Sequence, residues 1–295
     1  MGSFKRLVTP QAWISLAVVV IGGTALLPVA GAAPAHKCNG SVVTILGTPG
    51  ADVIRGTTGH DVISGLGGDD KILGKRGKDL ICGDAGRDKI FGGRGRDLIF
   101  GGRSRDRLDG GYGADGLLGG KKPDVLIGDA GADRINGNHG HDGLFGGPGG
   151  DKLFGGKGND TLWGGSDNDT LDGSNGSDSL NGGRGRTDIA SFAGNSSSVI
   201  NLTTKVGQNA FGTDSLKSIE GAIGSRAADT MVGSPRANML AGRLGADKIW
   251  GRRGNDLLQG DRGRDALNGG RGTDTIDGGP GVDTCVKGEN VTSCP

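Results

Sequence analysis

A single apolar residue recurs at every ninth position over most of the chain. Residues 47–181 divide into fifteen blocks of nine, and the eighth residue of every block is Ile or Leu. A second series of seven blocks covers residues 224–286, and its eighth positions run from Met231 to Cys285. Nine residues are too few for a pair of helices, but they suffice for a turn of about six residues and a strand of about three. Alternate residues of a strand face opposite ways, so the eighth residue is predicted to point inward.

Glycine is the second regular feature of the blocks. The first position is Gly in all fifteen blocks of the first array, and the fourth is Gly in twelve, with Ser104, Lys122 and Asp167 as the exceptions. Glycine permits the positive φ angles and the close backbone approach that a tight turn needs. Two blocks then form one coil, and successive coils stack as parallel strands about 4.8 Å apart. The pattern predicts an all-β fold, a parallel β-roll or β-solenoid of nine-residue repeats, with two arrays joined by an irregular solenoid spacer.

The composition shows that apolar packing alone is a weak source of stability for such a roll. Of 295 residues, 65 are Gly, only 33% are hydrophobic and 4% are aromatic. So little apolar surface offsets the entropy of ordering a glycine-rich backbone poorly. The formal net charge of +1 favours no particular class of partner. A further stabilising element is therefore expected if the chain folds.

An aspartate at position six supplies that element. Position six is Asp in all fifteen blocks of the first array, and residues eighteen apart lie one above the other in successive coils. One column consists of Asp52, Asp70, Asp88, Asp106, Asp124, Asp142, Asp160 and Asp178. The other consists of Asp61, Asp79, Asp97, Asp115, Asp133, Asp151 and Asp169. In the second array position six holds Asp229, Asn238, Asp247, Asp256, Asp265, Asp274 and Asp283.

Stacked carboxylates about 5 Å apart repel each other, and a cation between them removes the repulsion. Calcium takes six to eight oxygen ligands and accepts carboxylates and backbone carbonyls, both of which a glycine-rich turn offers. No His or Cys recurs in the repeat, which disfavours zinc, copper and nickel. Magnesium fits poorly because it demands a stricter octahedron. Stacked pairs made only of aspartates set an upper limit of thirteen calcium sites in the first array and four in the second.

The repeat resembles the RTX, or haemolysin-type, calcium-binding nonapeptide, Gly-Gly-x-Gly-x-Asp-x-apolar-x. The blocks GGRGRDLIF at 92–100 and GGKGNDTLW at 155–163 match it fully. The resemblance implies a β-roll that forms only with metal, with calcium between adjacent turns, bound by turn carbonyls and by every position-six Asp named above. The sequence departs from the family pattern at Ser104, Lys122, Asp167, Ala227, Arg236 and Asn238, where sites are expected to be distorted or empty.

Between the arrays, residues 182–223 break the period, beginning where Thr187 shifts the aspartate to Asp188. We interpret this spacer as continued solenoid with longer-looped turns, and a small independent domain is the alternative. Its predicted strands lie near Ile189–Phe192, Val199–Leu202 and Leu216–Ile223.

The ends of a solenoid need caps, because the last strand is otherwise unpaired. Residues 38–46, with the apolar Val42, Val43 and Ile45, predict an N-terminal cap strand, and residues 287–295 predict a C-terminal cap.

The N-terminal residues 1–33 have the parts of a secretory signal peptide: a short basic region, an apolar stretch over 12–29 and small residues over 30–33. The alternative is a membrane anchor. We expect a secreted protein, either free outside the cell or associated with the cell surface, with no transmembrane segment after processing. Four cysteines in an exported chain indicate disulfides. Cys285 and Cys294 lie close together and are predicted to pair, which leaves Cys38 and Cys82 to pair by elimination.

The chain carries no recognisable catalytic motif: HExxH, GxSxG and the phosphate-binding GK[ST] are all absent. We expect that the protein is not an enzyme and does not bind nucleic acid in a sequence-specific manner. The main prediction is a calcium-binding structural or surface-interaction protein. An accessory module or a fragment of an RTX toxin, adhesin or polysaccharide-modifying enzyme is the alternative.

Basic residues are frequent at turn positions three and five. We therefore hypothesise that the calcium-loaded protein binds an anionic surface polymer or polysaccharide, and the alternative is a solvated face without a partner. These residues are Arg76, Lys78, Arg87, Arg94, Arg96, Arg103 and Arg105, with Lys121 and Lys122 nearby.

Overall fold

The structure, a computed structural model, describes residues 36–294. The predicted signal peptide over 1–33 lies outside the described residues. Within them every regular element is a β-strand, and none is a helix that could cross a membrane. The strands form two long sheets and one short hairpin. The hairpin pairs β1 (Lys37–Cys38) with β2 (Ser41–Val42).

Sheet I and sheet II alternate along the chain, so that each coil contributes one strand to each sheet. Sheet I comprises β4 (Val53–Arg55), β6 (Lys71–Arg76), β8 (Lys89–Arg94), β10 (Arg107–Tyr112), β12 (Val125–Ala130), β14 (Gly143–Pro148), β16 (Thr161–Ser166), β18 (Ser179–Gly183), β20 (Val199–Asn201), β21 (Val206–Asn209), β22 (Gly212–Lys217), β24 (Thr230–Val232), β26 (Lys248–Arg253), β28 (Ala266–Arg271) and β30 (Thr284–Val286). Sheet II comprises β3 (Ile45–Leu46), β5 (Val62–Ser64), β7 (Leu80–Asp84), β9 (Leu98–Gly102), β11 (Gly116–Gly120), β13 (Arg134–His139), β15 (Lys152–Lys157), β17 (Thr170–Asn175), β19 (Ile189–Ser191), β23 (Gly221–Ile223), β25 (Met239–Leu244), β27 (Leu257–Arg262), β29 (Thr275–Asp277) and β31 (Asn290–Thr292).

The strands of both arrays pair in parallel with a register of eighteen residues, as Ile72 opposite Ile90 illustrates. The predicted parallel β-roll is confirmed. Most strands are longer than the three residues that the pattern predicts. They run on through position one into position three of the next block, because the backbone there continues the ladder, as in the pairing of Lys75 with Gly93.

The position-eight side chains form the core between the two sheets. From Ile63 to Leu171 each is fully shielded from solvent. Positions seven and nine are half-buried or exposed, except for Ser64 and Cys82 at position nine, which are buried near the N-terminal end. Each coil therefore contributes only two large apolar side chains to the interior, which agrees with the low apolar content of the sequence.

The spacer keeps the solenoid in sheet II but folds back in sheet I. Strands β20, β21 and β22 form an antiparallel meander, in which β22 pairs with β18 and β20 pairs with β24. Phe192 is buried beneath it, and a side chain at Gly207 would strike the Phe192 ring. The prediction of one strand over Leu216–Ile223 is wrong. The chain turns at Ser218, where φ is 49°, and crosses from sheet I to sheet II.

The caps are small. The N-terminal segment 38–46 holds parts of three short strands rather than one, and β3 pairs with β5 in parallel. At the other end β31 pairs with β29.

Candidate calcium sites

A hydrogen bond joins the position-six aspartates of neighbouring coils. The backbone N–H of Asp79 donates to Oδ1 of Asp97, eighteen residues later, at 2.8 Å. The same bond links Asp70 to Asp88 at 2.9 Å. Each aspartate thus reaches back to the turn one coil before it, and the side chains of a column all point the same way.

The second carboxylate oxygen, Oδ2, is the unusual atom of the turn. In nineteen aspartates it is buried and has no hydrogen-bond partner within residues 36–294. A buried acceptor without a donor costs about 1–3 kcal/mol, and more when it is charged. Such an atom therefore indicates a missing positive partner. The nineteen are Asp70, Asp79, Asp88, Asp97, Asp106, Asp115, Asp124, Asp133, Asp142, Asp151, Asp160, Asp169, Asp178, Asp188, Asp247, Asp256, Asp265, Asp274 and Asp283.

The electrostatics of the columns agree with this. Burial raises the pKa of Asp115 and of Asp124 from the ordinary 3.8 to about 7. The N–H bond from the preceding aspartate lowers these pKa values and the neighbouring carboxylates raise them, but burial dominates. A cation beside each free oxygen would stabilise the ionised form.

Glycine at position one leaves the space in which such a cation would lie. A methyl group on Gly74 would sit 2.7 Å from Oδ2 of Asp79 and 2.6 Å from the carbonyl oxygen of Gly92 in the next coil. At Gly110 the matching distances, to Asp115 and to the next coil, are 2.7 and 2.9 Å. A carboxylate and a carbonyl oxygen therefore converge on one small cradle that any side chain would fill.

The donor set of this cradle suits calcium. Across the described part of the chain, no cluster of three or more His, Cys, Asp or Glu side chains is placed to hold a metal. A bound ion would take carboxylate oxygens from the turns and complete its shell with backbone carbonyls. An all-oxygen set of this kind fits a hard cation with a flexible coordination number.

Substitutions at position four leave the columns intact in the first array. Asp106 and Asp124 follow Ser104 and Lys122, yet the N–H of Asp106 still donates to Oδ1 of Asp124 at 2.8 Å. Asp169 follows Asp167, and its N–H donates to Asp188 at 2.9 Å. The three aspartates after these departures keep a buried, unpartnered Oδ2.

Three of the predicted ligands differ from the rest. In Asp52, Asp61 and Asp229 the Oδ2 atom is already bound by the residue at position two of the same turn. Asn238, the departure at position six, is also hydrogen-bonded within its own turn.

Sequence reasoning missed several acidic members of the columns, because they lie outside the nine-residue register. The N–H of Asp178 donates to Asp214 at 2.9 Å, and the N–H of Asp188 donates to Glu220 at 3.2 Å. At the C-terminal end the N–H of Asp274 donates to Glu289 at 2.6 Å. The pairs are 36, 32 and 15 residues apart. The only signal in the sequence was an acidic residue shortly before an apolar strand.

Two disulfides tie down the ends of the roll. Cys38 pairs with Cys82, and Cys285 pairs with Cys294, each with a Cα–Cα distance of 5.9 Å. These are the pairs that cysteine spacing predicts. The first joins the N-terminal hairpin to sheet II, and the second closes the C-terminal segment over the core.

No curated protein sequence matches the chain. A family model does match, that of the RTX calcium-binding nonapeptide repeat in four copies. Its matches cover residues 46–81, 83–117, 118–153, 145–180, 154–188, 223–258 and 251–285, which is more than half of the chain. The parallel roll, the columns of aspartates and this match agree, and the chain belongs to the RTX calcium-binding nonapeptide repeat family.

Proposed function

We propose that this protein is exported and that its roll folds when calcium fills the turn sites outside the cell, to serve a structural or surface-binding role rather than catalysis. The observation that carries the proposal is the set of nineteen buried carboxylate oxygens without a partner. Without a cation, the columns would hold like charges in a nearly dry environment, where repulsion is strong.

Coupling between calcium and folding follows from where the ligands lie. Each cradle combines atoms of two coils that are eighteen residues apart, so it exists only when those coils are stacked. A ligand that binds the folded state and not the unfolded chain stabilises the fold by mass action. Calcium is scarce inside cells and plentiful outside, so the chain would remain unfolded before export and fold after it.

The two disulfides support an oxidising, extracellular setting. The aspartates at position six from Asp61 onward lie buried in the turns, where they suit ion binding better than acid–base catalysis.

Far-UV circular dichroism of the exported protein tests the proposal. Calcium is titrated in, EDTA is then added, and magnesium serves as the control ion. We expect a disordered spectrum that becomes β with calcium alone and reverts with EDTA. A β spectrum that EDTA leaves unchanged would show that packing and disulfides hold the roll, and the proposal would be wrong.

A groove on the outer face of sheet I favours a second function, binding of an anionic polysaccharide. The residues that line it include Trp250, Arg252, Arg253, Arg271 and Lys287. The groove encloses about 680 Å³, and no acidic side chain lines it among the described residues. Flat aromatic rings pack against sugar rings, and guanidinium groups bind carboxylates in a bidentate manner.

The basic turn residues of the first array add to this picture. Within residues 36–294 only Arg87 makes a salt bridge to a carboxylate among the Arg and Lys side chains, with Asp69 at 3.4 Å. The other cations are therefore available to a polymer once calcium has neutralised the aspartates.

Retention of the calcium-loaded protein on immobilised polygalacturonate, compared with neutral dextran, tests this second function. Trp250→Ala and Arg271→Glu are expected to weaken retention. Trp163→Ala is the matched control, because Trp163 lies on the same face of sheet I outside this groove. Equal loss in all three variants, or equal retention on dextran, would contradict a site at Trp250. Tighter retention on DNA would identify nucleic acid as the polymer instead.

A further inference from the structure

The first two turns of each array differ from all later turns in backbone conformation. In later turns the position-two residue is left-handed even where it is not glycine, as at Lys75, where φ is 80°, and at Arg252, where φ is 83°. Four turns have no positive φ at this position. They are the first two turns of each array, of which one leads into a strand of sheet I and the other into a strand of sheet II. Their position-two residues are Thr48, Thr57, Ser225 and Ser234.

In these turns the position-two residue occupies the oxygen that is free elsewhere. The N–H of Thr48 donates to Oδ2 of Asp52 at 2.6 Å, and its hydroxyl donates to the same atom at 2.9 Å. Thr57 binds Oδ2 of Asp61 in the same way, at 2.6 and 3.1 Å. The carboxylate is thus satisfied by its own turn.

The opening turns of the second array follow the same rule. Ser225 donates its N–H to Oδ2 of Asp229 at 2.6 Å and its hydroxyl to Oδ1 at 2.9 Å. In the next turn Oδ1 of Asn238 accepts the N–H of Ser234 at 2.6 Å.

Asn238 shows most directly what replaces a cation. Its Nδ2 donates to the carbonyl oxygen of Glu220 in the preceding coil at 2.9 Å. Its Oδ1 faces Gly233, at 2.7 Å from an added methyl group, where the unpartnered Oδ2 lies in the later turns, and this oxygen already accepts the N–H of Ser234. An amide N–H already joins the two coils here, and an amide nitrogen that donates a hydrogen bond is no ligand for a hard cation.

The four turns share one structural circumstance, which is that no glycine-rich turn precedes them by one coil. Before Asp52 and Asp61 lies only the N-terminal segment. Before Asp229 lies Ser198, whose N–H and hydroxyl both donate to Oδ1 of Asp229, the hydroxyl at 2.8 Å. These turns still have the carbonyl oxygen of the next coil, 2.6 Å from an added methyl group on Gly47, but the Oδ2 atom beside it is already bound by its own turn.

Ser174 shows that the position of the turn matters, not the residue type alone. Ser174 is also at position two, but it is left-handed, with φ of 68°, and its hydroxyl donates to Asp172. The Oδ2 atom of Asp178 in that turn stays unpartnered. A complete glycine-rich turn precedes this one by eighteen residues.

Asp188 is the reverse case, a site outside the uninterrupted repeat. Its side chain is fully buried, its Oδ1 accepts the N–H of Asp169 at 2.9 Å, and its Oδ2 has no partner within the described chain. The extra Thr187 lengthens the turn, yet Gly185 still lies directly against the carbonyl oxygen of Asp167, as position-four glycines do elsewhere.

We propose that the turns of Asp52, Asp61, Asp229 and Asn238 are metal-free and closed by their own side chains, whereas calcium binds from the third turn of each array onward and also at Asp188. This inference rests on the proposed calcium-dependent fold and assigns its sites. Each array then begins with two turns that need no metal, on which calcium-bound coils can stack in order.

Native mass spectrometry of the exported protein at saturating calcium tests the assignment by counting bound ions. The decisive comparison is Asp61→Asn with Asp79→Asn, since both residues are buried in one column, one coil apart. Asp52→Asn and Asp70→Asn form the same comparison in the other column. We expect the two opening-turn variants to keep the wild-type number of ions and a calcium midpoint within about twofold of wild type. Asp79→Asn, Asp70→Asn and Asp188→Asn are each expected to lose at least one ion.

Loss of an ion from Asp61→Asn or Asp52→Asn would overturn the metal-free opening turns, whether or not the later-turn variants fold. An unchanged count in Asp188→Asn would overturn the spacer site. Wild-type protein that is folded but carries no calcium would instead refute the proposed function, and with it this assignment. The two failures are therefore distinguishable.

Discussion

Gly95 lies directly above the carbonyl group of Gly77, so closely that no side chain fits between the two coils. Both residues are at position four, with φ angles of 137° and 133°. Their N–H groups donate to the coil that follows, that of Gly77 to Arg94 at 2.9 Å and that of Gly95 to Tyr112 at 2.8 Å. The spacing of the coils at the turns is therefore set by backbone packed against backbone.

Gly95→Ala is expected to lower the free energy of unfolding at saturating calcium by at least about 2 kcal/mol, because alanine resists this φ and its methyl group meets the Gly77 carbonyl. The matched control is Gly50→Ala. Gly50 is at position four of an opening turn, has no positive φ, and its nearest neighbour to an added methyl is Oγ1 of Thr48 at 3.8 Å. The control is expected to change stability by less than about 0.5 kcal/mol. Urea unfolding measures both, and equal losses would contradict the distinction between opening and later turns.

The pattern of the sequence predicts the repeating part of the fold and fails where contacts are not periodic. Position eight, as in Ile72, and position six, as in Asp79, have fixed spacing, so the core and the columns follow from it. The meander of β20, β21 and β22 depends on Phe192 packing beneath Gly207, which no period encodes. The conformation of the opening turns depends on the coil that precedes them. The role of Thr57 could therefore not be predicted from the repeat pattern.

The pH dependence of the calcium-free protein follows from the raised pKa values. Burial raises the pKa of Asp79 to about 6 and that of Asp106 to about 7 in the fold, from an ordinary 3.8. A group whose pKa is higher in the folded state binds protons better there, so it stabilises the fold fully below pH 3.8 and ceases to do so as the pH rises through about 6–7. In EDTA, the β signal is therefore expected to be strongest near about pH 4 and to fall toward neutral pH.

Calcium is expected to reverse this trend, because the ion requires deprotonated carboxylates. With calcium, the β signal should persist at neutral pH and weaken as the pH falls. Circular dichroism against pH, with and without EDTA, measures both curves. Asp115→Asn is the control, since its uncharged amide should improve the calcium-free fold at neutral pH. A calcium-free β signal that rises with pH would contradict the assignment of the buried carboxyl groups.

Asn238→Asp tests the amide that joins two coils. The substitution removes the hydrogen bond to the Glu220 carbonyl and places a buried carboxylate oxygen against it. We expect a loss of about 1–3 kcal/mol of stability that saturating calcium does not restore. Asn255→Asp is the control, because Asn255 is exposed and its Oδ1 only accepts, from the N–H of Thr273 at 3.0 Å. Urea unfolding measures the stability of both variants, and native mass spectrometry counts their bound calcium ions. A variant at 238 that gains an ion and keeps its stability would show that this turn can bind calcium.

The two disulfides are expected to contribute unequally. The bond between Cys38 and Cys82 closes 44 residues, whereas the bond between Cys285 and Cys294 closes nine. Because a longer loop loses more entropy in the unfolded state, removing the first should cost about 4 kcal/mol and removing the second about 2.6 kcal/mol. Double Cys→Ser variants, unfolded in urea at saturating calcium, give the two values. The bound-ion count is the control and should not change in either variant, since neither pair lies in a turn cradle. A larger loss from the C-terminal pair would indicate that its closure over the last coil, and not loop entropy, stabilises the roll.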